Sequence, residues 1–353
     1  MEFPADPIAA VTHPDPYPYY RWLSAERPFA LDQSLGMWVA ASAEAVSEVL
    51  VDVRLHVRPA AEPIPRPFSG TAAGDVFGEL ARMNEGARHT DARKLVTTHL
   101  SEWNDARVAQ IVKEVFPLLP TRHIDTVMWH LPAFALARGF GVAGSDLFMA
   151  TEWIRALAEA FAPGASAPQV EAGSEAARRL RALLLEARLP PAAVANCIGI
   201  LTQAYEATAG LIGNALMALG HHRIGIETAG MEMMEETARW NGAVQNTRRY
   251  VNETSLIMGQ EVPAGSCILV LLAAANHDAR VNPLPERFLP DRNPRRVFTF
   301  GSARHECAAG RLSLALTLEA LRRLEPHATN AAMARFRGYR QSANLRIPVF
   351  AED

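Results

Sequence analysis

Cysteine is scarce. Cys197, Cys267 and Cys307 are the only three in 353 residues; odd in number and far apart, they exclude a disulfide framework and point to a reducing compartment. A charge of one sign is also lacking, since 35 Lys and Arg against 38 Asp and Glu leave a formal net charge of -3. No overall basic surface is available to neutralise phosphates, so nucleic acid is not an expected partner. Long apolar runs are missing too: nothing approaches the ~20 residues needed to cross a bilayer, and no membrane association is expected. The opening MEFPADPIAAVTHPDPYPYY has an acidic second residue and neither a basic cluster nor an apolar run, unlike a signal or transit peptide, so a soluble, cytoplasmic protein is expected. Fixed-period repeats and low-complexity tracts are absent, which removes solenoids and propellers. What the chain does have is 49% hydrophobic residues, enough to bury a large core as one sizeable domain or two smaller ones.

Apolar positions at three-to-four spacing predict helices over Asp105–Phe116, Ser145–Phe161 and Ser174–Glu186. After Pro190 and Pro191 a long helix, Ala192–Leu219, is apolar almost all round (Ile198, Ile200, Leu201, Leu211, Ile212, Leu216), which predicts a central, buried element. Shorter helices are expected around Tyr19–Ala25, Ala43–Val51 and Glu232–Trp240, strands at Met37–Ala40, Thr247–Tyr250 and Thr254–Met258, and a further strand or helix start at Cys267–Leu272. A turn falls at Val262–Gly265, where proline fixes one dihedral and glycine admits the other. Four prolines between Asn276 and Phe298 leave room only for an extended loop. The expectation is one domain over 1–353, mainly α with small β-sheets: 1–60, 243–270 and 338–350 carry most of the β structure, while 87–240 and 307–325 are mostly helical.

The loop ends in Phe300-Gly301-Ser302-Ala303-Arg304-His305-Glu306-Cys307-Ala308-Ala309-Gly310 and runs into a leucine-striped helix (Leu314, Leu318, Leu321). Cys307 is thereby expected at a helix amino terminus, where free amide donors and the positive end of the dipole favour a metal-binding thiolate. The bland alternative is a small buried hydrophobe, the commoner fate of a free cysteine. Zinc through His305 and Cys307 is disfavoured, because no second Cys/His pair at ligand spacing exists.

This segment resembles the haem loop of the cytochrome P450 family, which has Phe-Gly, a glycine, a basic or histidine position, the ligand cysteine, and a glycine two residues later. Phe300, Gly301, His305 and Cys307 match; Ala303 and Ala309 stand where the family has glycine. If either position needs positive φ, alanine costs about 1 kcal/mol there. Glu236-Thr237-Ala238-Arg239 resembles the family's Glu-x-x-Arg, and Pro285-Glu286-Arg287-Phe288 the segment whose arginine joins that pair in a buried network. The Asp15–Leu23, Val244–Arg249 and Tyr339–Ser342 segments look like the family's opening, post-pair strand and closing hairpin. The resemblance implies haem b (heme, iron protoporphyrin IX) with Cys307 as axial metal ligand, lying between the long central distal helix and the proximal cysteine loop. His89, Arg93, Arg248 and His305 are the implied propionate contacts, with Phe300 beside the cofactor.

On the distal helix, Thr202-Gln203-Ala204-Tyr205-Glu206-Ala207-Thr208 resembles the family's Ala-Gly-x-Asp/Glu-Thr-Thr. Glu206 matches the acid, but Ala207 replaces the first threonine and cannot donate a proton. Glu206, Thr208 and Gln203 are therefore the candidate catalytic residues, with Thr208 about 100° of helix away from the expected position. The resemblance implies a monooxygenase acting on a small or medium, partly apolar substrate, with electrons from a ferredoxin- or flavodoxin-type partner docked on a basic face of Arg93, Lys94, Arg304 and Arg311. Because of Ala207, a peroxide-driven or non-monooxygenase reaction on the same haem is a second expectation, and a non-catalytic haem-binding or sensing protein a third. Contacts to substrate are expected from 57–82, from Ile200, Gln203 and Ala204, from Ala243–Asn246 and from Gln341–Ala343.

Overall fold

The structure is a computed structural model that describes residues 3–351. In chain order the longer elements are α1 (Tyr17–Glu26), β1 (Phe29–Asp32), β2 (Met37–Ala40), α2 (Ala43–Val51), β3 (Leu55–His56), α3 (Ala72–Glu79), α4 (Gly86–Leu100), α5 (Asp105–Val115), α6 (Ile124–Gly139), α7 (Leu147–Phe161) and α8 (Ala167–Glu186). There follow α9 (Pro191–His221), α10 (Met231–Trp240), β4 (Thr247–Val251), β5 (Ser255–Ile257), β6 (Gln260–Val262), β7 (Cys267–Val270), α11 (Leu272–Asn276), α12 (Gly310–Leu321), α13 (Ala328–Arg335), β8 (Phe336–Tyr339) and β9 (Pro348–Phe350). Short polar side chains start several helices by accepting otherwise unsatisfied amides: Ser42 from Ala45, Thr71 from Gly74 and Asn104 from Arg107. Among the described residues no helix is long and apolar enough to cross a membrane.

One compact body comprises residues up to 60, 210–307 and from 325 onward. Its main sheet has the order β1-β2-β7-β4-β3, with β2 parallel to β7 and the other pairs antiparallel. Val46, Val49 and Leu50 of α2 pack with Ile268 and Val270 of β7 in its core. Arg346 is buried here without a carboxylate; its guanidinium donates to the carbonyls of Val11, His13 and Pro14 and to Asn241, and lies 3.4 Å from the Tyr339 ring centroid. The second body, 61–209 with 308–324, is helical: α7 packs along α8, α3 on α8, and α12 on α5 and α6.

Several elements depart from expectation. Helix α8 begins seven residues before Ser174, because the Ser166 amide donates to the Gln169 side chain and Pro168 fits the first turn. Strands β1 and β6 and helix α13 carry too few residues to show a period. The proline-rich stretch holds no helix or strand from 277 to 302. Side-chain amides replace a backbone ladder in it: Asn282 bridges Asn276 and Arg296 through both of its ends, and Asn276 accepts from the Phe298 amide and donates to Thr299.

Candidate haem-thiolate site

In the first body the cysteine loop is closed by its own backbone. Gly301 N–H donates to Phe298 O at 2.7 Å, Cys307 N–H to Phe300 O at 2.8 Å and Glu306 N–H to Ala303 O at 3.1 Å. Gly301 lies at φ +71° and Ala303 at φ +58°, so one of the two alanines does occupy a left-handed position. Ala309, at φ -102°, does not. Helix α12 starts at Gly310, three residues beyond Cys307; the cysteine thus precedes the helix amino terminus and is not part of it. Arg304 anchors the loop by donating to the carbonyls of Asp52 (3.1 Å) and Leu55 (2.8 Å).

Cys307 is exposed. Burial pushes the Cys197 thiol up to about 12 and raises that of Cys267, which makes both inert small hydrophobes at neutral pH. Only Cys307 avoids the fate common to cysteines. Among the described residues no group of three His, Cys, Asp or Glu is placed to hold a metal. Phe300 and His305 in the same loop are half-buried, as is Arg248 on β4, where it pairs with Leu269 of β7.

Glu236 is fully buried among three arginines, Arg239, Arg292 and Arg295, the last with its Nε 3.4 Å from a carboxylate oxygen. Arg239 meets it bidentately at 2.9 and 2.6 Å, and Arg292 Nε lies 3.2 and 3.3 Å from its two oxygens. The expectation that Arg287 completes this network is corrected: Arg287 contributes its carbonyl, which accepts from both Arg239 and Arg292, while its side chain is exposed. The turn after Phe288 carries Arg292, five residues beyond Arg287, back to the carboxylate.

In the second body, His89 is buried and not solvated. Its Nδ1 donates to Ala81 O at 2.9 Å, and Arg93 sits half-buried one turn later on α4. On α9, Ile200, Gln203, Ala204 and Ala207 share one stripe by their three-to-four spacing, and the last three are half-buried. Thr208, four residues after Ala204 and about 100° of helix beyond Ala207, is 1% exposed, and its hydroxyl has no hydrogen-bond partner among the described residues. Glu206 is half-buried beside Tyr205, whose ring packs on Trp129 with centroids 5.1 Å apart.

The turn 79–84 is fixed to α9. Asn196 accepts from the Ala81 amide and donates to Glu79 O, the Asn84 side chain closes on Gly78 O and Leu80 O, and Leu80 seats on Gly199 so tightly that a Cβ there would lie 2.4 Å from Leu80 Cδ2. Sequence reasoning singled out neither Asn196 nor Gly199. The one available signal was a glycine inside an otherwise apolar helix, which marks close approach of another segment.

No family model matches the chain. Among curated proteins it is similar to a putative cytochrome P450 133B1 of Xylella fastidiosa, 33% identical over 127 residues; the match covers 34% of this chain and only 32% of that protein. It is also similar to the biotin biosynthesis cytochrome P450 of Bacillus subtilis, 24% identical over 343 residues and 85% of each chain. Among solved structures that of CalO2 superposes with a TM-score of 0.81 at 20% identity, covering 98% of this chain and 97% of that one. The chain is thus similar in sequence to cytochromes P450 and shares their fold.

The mainly α fold with small sheets is the P450 fold. The family's cofactor is haem b with a cysteine thiolate as axial ligand, and the chemistry of the donors here fits it: one exposed thiol on a closed loop, half-buried His305 and Arg248 in one body, His89 and Arg93 in the other. Of the residues expected to form a basic proximal face, Arg304 donates to two carbonyls, which leaves its charge in place, and Arg311 is paired with Asp105 at 2.5 Å.

Proposed function

We propose that Cys307 is the axial ligand of haem b and that the protein is a haem-thiolate monooxygenase. It would insert one oxygen atom from dioxygen into a small or medium, partly apolar substrate, with electrons from a separate ferredoxin- or flavodoxin-type donor. The single observation that carries this reading is Cys307 itself, the one exposed cysteine of three, on a loop closed by its own backbone. Haem, when bound, supplies the oxygen chemistry; the chain's task is to hold it, orient the substrate and deliver protons. His89, Arg93, Arg248 and His305 would hold the two propionates, and the Ile200, Ala204 and Ala207 stripe would pack against the apolar part of the substrate. Glu206 would hold a proton close to the stripe, with Gln203 as the amide available to orient substrate or water.

A second reading is favoured by Ala207. With no hydroxyl at that position and Thr208 buried without a hydrogen-bond partner, the helix offers Glu206 but no hydroxyl to relay a proton from it, which suits a peroxide-driven reaction that brings its own protons. Two measurements test both readings. The dithionite-reduced protein with carbon monoxide should show a strongly red-shifted Soret band that is lost in Cys307→Ala; absence of bound haem in the native protein overturns the proposal. With haem established, turnover sustained by hydrogen peroxide but not by dioxygen and reductant selects the second reading.

A further inference from the structure

We infer that the rings of Trp240, Tyr17, Tyr20, Tyr19 and Trp22 form a path along which electrons reach the haem from the protein surface when no substrate is there to be oxidised, so that the chain carries its own protection against peroxide. The inference rests on the haem-thiolate reading above and adds a second redox activity to it. Trp240 stacks on Tyr17 with centroids 6.3 Å apart, and Tyr17 meets Tyr20 edge to face at 6.3 Å. Tyr20 lies 6.3 Å from Tyr19, which stacks on Trp22 at 6.0 Å. All five rings belong to the first body. Tyr20 is fully buried, and Trp22, 38% exposed, brings the file to solvent.

The inner end of the file abuts the cysteine loop. The Tyr17 hydroxyl donates to Asn241 Oδ1. Gly242, the next residue, lies so close to Thr299 that a Cβ on it would be 2.4 Å from Thr299 Oγ1. Thr299 Oγ1 in turn donates to the Ala238 carbonyl of α10, which fixes the approach. Thr299 is bonded to Phe300, whose carbonyl accepts from the Cys307 amide at 2.8 Å. The route from Cys307 to Tyr17 therefore consists of short covalent segments joined by two hydrogen bonds and one van der Waals contact, with no open gap to cross.

The charges along the file set its direction. Arg346 is the strongest charge acting on Tyr17 and Tyr20, which disfavours a resting positive charge there, whereas the carboxylates of Asp32 and Asp6, opposed by Arg27, act on Tyr19. Burial raises all three phenols, and the two inner ones have no base to take a proton. The Tyr17 hydroxyl meets an amide, and that of Tyr20 has no partner among the described residues. A radical does not settle on these rings and is passed outward to Trp22, whose indole can release its proton to water. Reduction of one hydrogen peroxide to two waters takes two electrons and two protons. Each electron leaves the inner end of the file, the outermost ring is oxidised by that one electron and gives one proton to solvent, and a surface one-electron reductant such as ascorbate refills it.

The test mixes the purified, haem-loaded protein with hydrogen peroxide and a nitroso spin trap in the absence of substrate. Electron paramagnetic resonance reads the protein radical, and peptide mapping locates the trapped residue. The expected result is an adduct on Trp22 that is lost in Tyr17→Phe, together with a Soret band that bleaches at least twice as fast in Trp22→Phe as in the native protein. Trp22 is exposed, so its replacement keeps the bleaching test independent of folding. Trp38→Phe, which alters a half-buried ring outside the file, should move neither readout. A radical that maps elsewhere and spares Trp22, an undiminished Trp22 adduct in Tyr17→Phe, or unchanged bleaching in Trp22→Phe would overturn the inference. Failure of the haem reading is separately visible: a protein without the red-shifted reduced carbon monoxide band never reaches the peroxide experiment.

Discussion

Ala303 is where a departure from the family's glycine meets a backbone that asks for glycine. At φ +58° its Cβ crowds the following carbonyl, which costs about 1–2 kcal/mol for an L-residue. Ala303→Gly removes that cost but loosens the unfolded chain by about 0.4–1 kcal/mol. The net gain is then about 0.5 kcal/mol, or a Tm rise of about 1 °C in a protein of this size. Gly301, two residues earlier at φ +71°, gives the reverse experiment. A Cβ there would find its nearest atom, His305 O, at 3.7 Å, so no clash complicates the result and Gly301→Ala isolates the backbone cost, a loss of about 0.5–1 kcal/mol.

The assay is paired thermal and urea unfolding of the two variants and the native protein, all saturated with haem, because a ligand that binds only the folded state raises every apparent stability by mass action. Opposite signs are the expected outcome. An Ala303→Gly protein less stable than native, together with a Gly301→Ala protein unchanged, would refute the left-handed assignment and with it the idea that alanine strains this loop. Reduced strain also slackens the loop, so Ala303→Gly should lose haem to an apoprotein acceptor faster, even though its polypeptide is more stable.

The remaining predictions concern buried charge. Glu236→Gln leaves the guanidiniums of Arg239 and Arg292 without their carboxylate and should destabilise by about 3–5 kcal/mol, read as loss of haem content and of the cooperative urea transition. His277 is fully buried, and burial with the neighbouring Arg239 holds its imidazole well below the usual histidine range. Above the unfolded value near 6.5 both states are neutral. As pH falls below it the unfolded chain takes up a proton that the native state refuses, so stability should drop by up to about 1.4 kcal/mol per pH unit. His277→Phe should flatten the stability profile between pH 6.5 and 5.5 while lowering stability at pH 7.5, where the bond from Nε2 to Trp240 O is lost; an unchanged slope would refute the assignment.

Long elements were legible because their periods were. Helix α9 matched its reading to within two residues at each end, and β2 and α2 matched to the residue, since alternation and capping agreed locally. Three-residue strands such as β6 carry no period to read. The site divides the same way. Cys307, Glu236 and Arg239 are tied to fixed local spacing and were identifiable, whereas Arg292 was missed in favour of Arg287. Which of two arginines five residues apart turns inward depends on the path of a loop, and that path is set by the distant amides of Asn276 and Asn282. Asn196 and Gly199 were invisible for a related reason: their significance comes from the turn at Leu80 and Ala81, which they fix from 115 residues away or more.

Thr208 separates two accounts of the distal helix. If it replaced the missing hydroxyl of position 207, its Oγ1 would need a partner with which to relay a proton, yet it lies about 100° of helix from Ala207, is 1% exposed and bonds to nothing among the described residues. A buried hydroxyl without a partner costs about 1–3 kcal/mol. An isosteric Thr208→Val should therefore raise stability by about 1 kcal/mol, or about 2 °C in Tm, and leave oxidant preference unchanged. A catalytic hydroxyl predicts the opposite: no gain in Tm, and a fall in coupling of reductant consumption to product. Paired with Ala207→Thr, which places a hydroxyl on the stripe, the two variants decide whether the chain has moved its proton donor by one residue or has dispensed with a donor on this helix.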